Sequence, residues 1–249
     1  MSAYGAINTG RKSKDPLPST IWHTKTKGSQ AVVPQSSYLT IHHVTLASAQ
    51  NLPGLVFYLH ESFAEELERG RTYPQEILQG ELYAQNAFEA YFFAADVLVA
   101  VIGQDVTVPE GKTDGSTIIK TIEEARGGRA WKDCIAGAYY VKPNYPGRSS
   151  HICNAGFLVP ASQRSRGFGA VLARSYLYYG PRLGFEASVF NLVYVNNVAS
   201  VKLWDALNFS KVGRIPRAGR LRTADGMGEE YVDAWVIYKQ FDKAVDGTN

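Results

Sequence analysis

The spacing of apolar and polar positions divides the chain into strands and helices. Residues 38–46, Tyr-Leu-Thr-Ile-His-His-Val-Thr-Leu, alternate well enough to predict a strand. Leu55, Val56, Leu59, Phe63 and Leu67 then repeat with a helical period. Glu61, Glu65, Glu66 and Glu68 form the solvated side of that helix, and Gly70 ends it. Pro74 suits a first helical turn, so a second helix is predicted from there, carrying Ile77, Leu78, Leu82, Phe88 and Tyr91. Apolar runs predict buried strands over 95–102, 135–141 and 155–159, and Pro160 stops the last of them. A helix over 167–179, a strand over 186–195 and an Asn-capped helix over 198–207 follow. Residues 211–215 and 233–238 read as a closing pair of strands.

Two regions interrupt this pattern. Residues 1–35 are rich in Ser, Thr, Lys and Gly and read as a flexible basic arm. Residues 107–130 are rich in Gly and charge and read as an exposed insertion with one short helix over 117–125. The domain proper is expected over 36–245. Its element order implies an α/β fold, with a mixed central sheet and helices on both faces.

Charge and cysteine content narrow the function classes. The net charge of +3 is held in the arm, by Arg11, Lys12, Lys14, Lys25 and Lys27. No basic folded surface for nucleic acid is expected. Residues 91–103 are too short for a membrane span and include Asp96. Cys134 and Cys153 read as two reduced thiols, and a cytoplasmic location is expected. A mitochondrial presequence is the alternative reading of the arm, but Asp15, Pro16 and Pro18 interrupt the amphipathic helix it would need. His42 and His43 point to opposite faces of their strand, so they do not chelate a metal together, and no metal is expected.

The stretch after the 155–159 strand carries the chemistry. Arg164-Ser-Arg-Gly167-Phe-Gly169-Ala170 opens a helix directly after a strand and a short turn. Free N–H groups, the positive end of a helix dipole and two arginines together suit phosphate oxygens. Glycine allows the backbone to come close to them. The spacing lacks the lysine of a P-loop and the third glycine of a dinucleotide fingerprint. It resembles the pyrophosphate loop of the GCN5-related N-acetyltransferase (GNAT) superfamily, which binds acetyl-coenzyme A. Asn197-Val-Ala-Ser-Val-Lys-Leu-Trp204-Asp-Ala-Leu-Asn208-Phe209 is similar to the second motif of that superfamily, and the two stand in the expected order.

Within the superfamily, Arg71-Thr-Tyr-Pro-Gln75, Tyr140-Val-Lys-Pro-Asn-Tyr145, the residues from Ser150 to Val159, Phe190-Asn-Leu-Val and the Asn197 segment resemble the fungal L-azetidine-2-carboxylate N-acetyltransferases. The resemblance covers residues 38–240. It implies a GNAT fold whose sheet splays open at the acetyl-CoA site, a small imino-acid acceptor of the proline-analogue class, and a homodimer. Tyr176–Tyr179 and Tyr231–Tyr238 are the aromatic segments that could form its interface.

The resemblance also assigns roles. The backbone N–H groups of Phe157 and Leu158 match the oxyanion donors, on a strand that the superfamily bulges and that Gly156 would relax. Leu158, Val159, Arg164, Ser165, Arg166, Gly167, Phe168, Gly169, Ala170, Asn197 and Trp204 fall at acetyl-CoA positions. Many superfamily members carry a Tyr acid where Trp204 stands here. Indole is a donor only, so either Asn197 stabilises the leaving thiolate or Trp204 simply packs. Asn154 and Asn191 sit in strand contexts that disfavour Asn, and both read as acceptor-site residues. Phe157 and Tyr73 are further acceptor contacts, and Tyr73 or His151 could assist deprotonation through water. Two other readings stay open: a peptide N-acetyltransferase, and a coenzyme A-binding regulatory domain without turnover.

Overall fold

The computed structural model describes residues 15–24, 38–78, 80–105 and 107–242. The chain begins with β1 (Ser19–His23) and β2 (Tyr38–Val44), then α1 (Leu46–Gln50), α2 (Leu55–Arg69) and α3 (Gln85–Phe92). Next come β3 (Asp96–Ile102), β4 (Ser116–Ile118), α4 (Ile122–Arg126), α5 (Trp131–Cys134) and β5 (Ile135–Pro143). The second half holds β6 (Ile152–Leu158), α6 (Phe168–Arg182), β7 (Ala187–Tyr194), α7 (Val198–Ala206), β8 (Ser210–Arg222) and β9 (Glu229–Gln240). One nine-stranded sheet runs β4-β1-β2-β3-β5-β6-β7-β9-β8. Its one parallel pair is β6–β7, so the sheet is mixed, as expected.

Both faces of the sheet are covered. Leu55, Leu59 and Phe63 recur along α2, are fully buried, and pack with Phe88, Val97, Val99 and Ala138 on one face. Burying a side chain of that size contributes about 1.5–3 kcal/mol. On the other face, Val171, Leu172 and Tyr176 of α6 pack with Leu39, Leu98, Tyr139 and Ala155. Strand residues alternate between the two clusters: Tyr139 and Phe157 join the α6 side, Ala138, Tyr140 and Leu158 the α2 side.

Several expectations are corrected. Ser19–His23, inside the stretch read as an arm, is a buried strand that pairs with β2 and β4. Thr20, Trp22 and Tyr179 tie it down: the Tyr179 hydroxyl lies 2.8 Å from Thr20 Oγ1, and the Trp22 indole N–H donates to the same oxygen at 2.7 Å. The arm's five basic residues lie outside the described residues. No helix starts at Pro74; α3 begins at Gln85, Gly80 has φ +85°, and Leu82 is exposed. The insertion is not all exposed. Ser116–Ile118 extends the sheet, the helix is shifted to α4, and Ile122 and Ala125 are buried against the α2 cluster. Tyr176 and Tyr179 are fully buried, so they belong to the core and not to an interface.

Candidate active site

The sheet opens between β6 and β7. They pair only at Ile152↔Ala187 and Cys153↔Ser188 and then part. Aromatic rings fill the α6 side of the opening. Trp204 lies 5.2 Å from Phe157, 4.7 Å from Phe190 and 4.9 Å from Phe209, centre to centre. Aromatic pairs at such separations contribute about 0.5–1.5 kcal/mol each beyond the area they bury.

The direction of the β6 main chain follows from its partners. His151 O accepts from Glu186 N at 2.9 Å on the β7 side, and Ile152 O accepts from Asn144 N at 2.8 Å on the β5 side. Alternation then turns the main-chain groups of Cys153, Ala155 and Phe157 toward the opening. The Phe157 carbonyl is taken by the Tyr73 hydroxyl at 2.9 Å. Leu158 faces the other way: its carbonyl stands 2.7 Å from where a Cβ on Gly137 of β5 would be. Of the two backbone donors named from the sequence, Phe157 therefore faces the opening and Leu158 belongs to the β5 ladder.

The expected bulge at Gly156 is absent. β5 and β6 pair without a break from Ala138↔Leu158 to Pro143↔Cys153. Gly156 serves contact instead of strain, since a Cβ there would lie 2.4 Å from the Tyr140 ring.

Three carboxamides meet at the vertex, on the α2 side of the sheet. Asn154 and Asn191 both donate to Asn144 Oδ1, at 3.1 and 2.7 Å. Asn144 donates back to Asn191 Oδ1 at 3.1 Å. Sequence reasoning brought Asn154 and Asn191 together but missed Asn144, which passes for a turn former in Lys142-Pro-Asn-Tyr-Pro. The signal lay in the hairpin register, which sets Asn144 beside Ile152. Lys142 was missed as well. It is the register partner of Asn154. Burial lowers its pKa to about 8.

The segment read from the sequence as a phosphate loop leads from β6 into α6. Ser165 and Gly167 adopt φ of +62° and +80°, and Gly167 caps α6. A Cβ on Gly167 or Gly169 would meet no atom within 4 Å, so the space above the helix start is open. The first-turn N–H groups of α6 have no acceptor one full turn below them; Ala170 N–H turns back to the Gly167 carbonyl at 3.1 Å, which leaves Gly169 N–H facing the open space. Arg166 stacks 4.6 Å from the centre of the Phe168 ring, bonds Gln163, and keeps its Nε buried without a partner. Phe168 itself is core. Arg164 pairs with Glu66 of α2 and donates to the Val159 carbonyl at 3.3 Å. Open glycines, a helix start and two arginines fit a pyrophosphate.

The remaining candidates divide. Asn197 caps α7, accepting from Ser200 N at 3.2 Å, and lines a cleft of about 500 Å³ with Arg164, Arg69, Arg71 and Arg222. Trp204 is buried, and its indole N–H donates to Ser200 Oγ at 3.1 Å, so packing is its role here. Tyr73 lines a second cleft of about 470 Å³ with Pro74, Tyr194 and Arg220. Burial pushes its pKa well up, so the hydroxyl stays protonated and is no base. His151 is exposed at the closed end of the β6–β7 pair, against the Arg148 carbonyl. Among the described residues no group of His, Cys, Asp and Glu could hold a metal, and no helix is long and apolar enough to cross a membrane.

No family model matches the chain. N-acetyltransferase aca1 of Schizosaccharomyces pombe is 42% identical over 181 residues, which span 73% of this chain and 78% of that protein. The chain belongs to the GCN5-related N-acetyltransferases. It is an N-acetyltransferase by that relationship. Protein SPT10 of Saccharomyces cerevisiae is 29% identical over 212 residues, but these span only 31% of that longer protein. Solved structures agree on the GNAT fold. The GCN5-related N-acetyltransferase of Kribbella flavida is 23% identical with a TM-score of 0.58, over 82% of this chain and 98% of its own. Salmonella typhimurium yncA, solved with its cofactor acetyl-CoA, is 14% identical with a TM-score of 0.55, over 84% and 98%.

Proposed function

We propose that this acetyltransferase moves the acetyl group of acetyl-CoA to the nitrogen of a small imino acid, L-azetidine-2-carboxylate and related proline compounds. The observation that carries the reading is the Asn144–Asn154–Asn191 cluster at the vertex where β6 and β7 part. Carboxamide N–H groups hold a carboxylate without adding charge. Acetyl-CoA supplies an activated thioester; transfer forms a C–N bond, breaks the C–S bond and releases the coenzyme A thiolate, which takes its proton from water.

The chain's own residues supply the rest. The Phe157 N–H, free of the β5 ladder, is the donor for the thioester oxygen, and one such donor lowers the barrier by about 3 kcal/mol. Tyr73 fixes the peptide that follows this donor by holding the Phe157 carbonyl. The open helix start, with Arg164 and Arg166, receives the pyrophosphate. Asn197, in the cleft shared with Arg164, serves the thiol end of the cosubstrate. The amine proton leaves to water in the Tyr73 cleft. The enzyme is a homodimer in this reading. With Tyr176 and Tyr179 buried, exposed Tyr231 and the edge strand β8 beside it offer a surface for the contact.

The test is mass detection of the product from acetyl-CoA with L-azetidine-2-carboxylate or with a short peptide. N-acetylated imino acid supports the reading. Acetylated peptide alone would make the enzyme a peptide acetyltransferase, and no product from either would favour a coenzyme A-binding role.

A further inference from the structure

Lys142 stands on β5 with its side chain on the same face as Asn154, its partner across the hairpin. Its ammonium lies 4.1 Å from the centre of the Tyr91 ring and 4.3 Å from that of Tyr140, and donates to the Tyr91 carbonyl at 3.3 Å. The two rings are themselves fixed, edge to face, with their hydroxyls 2.8 Å apart. Among the described residues no carboxylate pairs with Lys142; burial alone lowers its pKa to about 8. It is still mostly charged at neutral pH.

A half-buried ammonium without a counter-ion is costly unless something brings one. The neighbouring cluster indicates what that is. Each Asn Nδ2 carries two hydrogens, and each uses one inside the cluster. One N–H remains on Asn144, on Asn154 and on Asn191. An ionised carboxylate offers about four lone-pair positions, which one ammonium and three N–H groups can satisfy. The two rings and the Tyr91 carbonyl already hold the ammonium in place, so little side-chain freedom is lost when the anion binds.

We propose that Lys142 is a specificity residue, its ammonium the counter-charge that selects amines bearing a carboxylate over neutral amines. The assignment rests on the imino-acid reading above and adds the residue that reads charge.

Lys142→Met keeps an unbranched side chain of similar length and removes the charge; Lys142→Arg keeps the charge. Both are compared with the parent enzyme on L-azetidine-2-carboxylate and on its carboxamide. Binding of tetrahydrofuran-2-carboxylate, which has the carboxylate but no acceptor nitrogen, is followed by calorimetry. The parent should prefer the acid. Lys142→Met should raise KM for the acid by about ten- to a hundredfold, with a smaller change in kcat, and weaken the probe by a similar factor. Lys142→Arg should retain most of the preference. An acid-to-amide ratio that does not change in Lys142→Met overturns the assignment. So does an equal fall of kcat on both acceptors, which would mark a base or a packing role. If the parent acetylates neither acceptor yet binds the probe through Lys142, the imino-acid reading falls and Lys142 stands. If it acetylates the acid but all three proteins bind the probe alike, the reverse holds. If it does neither, both fall.

Discussion

The Tyr73 hydroxyl donates to the Phe157 carbonyl at 2.9 Å, from a loop to the C-terminal end of the strand that borders the opening. One hydrogen bond thus sets the plane of the peptide next to the proposed oxyanion donor. Tyr73 is also packed edge-on to Phe63 of α2, with ring centres 4.8 Å apart.

Tyr73→Phe should keep the ring and lose only the hydroxyl. The net worth of such a bond is about 0.5–1.5 kcal/mol. Turnover should fall by roughly three- to tenfold, with the shape of the pH profile unchanged. Loss of the limb that rises from the acidic side would instead make Tyr73 a base, against its strongly raised pKa.

Gly169→Glu should leave a folded protein that no longer binds acetyl-CoA. A Cβ at Gly169 meets nothing within 4 Å and the position is helical, so the substitution is tolerated by the fold. The carboxylate would then occupy the proposed phosphate position. Gly167→Glu should act alike, with added strain from φ +80°. Calorimetry on the folded Gly169 variant checks this, and wild-type affinity would remove the loop assignment.

Most of the sheet, and the helix start at 167–169, are legible because period and punctuation agree there. Residues 155–159, Pro160 and the Gly167–Gly169 spacing all point to strand, turn and helix start. β1 was not legible: of its five residues only Ile21 and Trp22 are apolar, and Thr20 is buried through its bonds to Tyr179 and Trp22. The helix at Pro74 failed because Ile77, Leu78 and Leu82 imitate a helical period across Gly80, whose left-handed conformation breaks it. Asn154 and Asn191 stood out as Asn in strands. Asn144 and Lys142 did not, since a turn explains the one and a surface lysine is ordinary. Only the β5–β6 register brings them to the vertex.

His42 should make stability depend on pH. It bridges Ser19 and Thr40, at 2.9 Å each, and burial first, the Lys120 charge second, lowers its pKa to about 3. The folded state therefore favours the neutral ring. That contribution is fully present above the unfolded value of about 6.5 and is lost as pH falls toward 3, at about 1.4 kcal/mol per pH unit at most. Denaturant titrations at pH 7 and pH 5 should show a drop that His42→Gln reduces. Equal drops in both proteins would assign the acid sensitivity elsewhere.

The enzyme is expected to sediment as a homodimer. β8 is an edge strand, and Val212, Ile215 and Tyr231 are exposed beside it. Uncovered edges of this kind invite pairing. A monomer at high protein concentration would contradict the expectation.

The central claim is that the carboxamides at the β6–β7 vertex hold the acceptor while the α6 loop holds acetyl-CoA. Steady-state kinetics of Asn154→Ala and Asn191→Ala, with each substrate varied in turn, test it most directly. Each variant loses a donor to a charged group, worth about 1.5–3 kcal/mol. The Michaelis constant for L-azetidine-2-carboxylate should rise by about ten- to a hundredfold, and that for acetyl-CoA should stay nearly constant. Wild-type kinetics for the imino acid in both variants would contradict the account and move the acceptor site elsewhere.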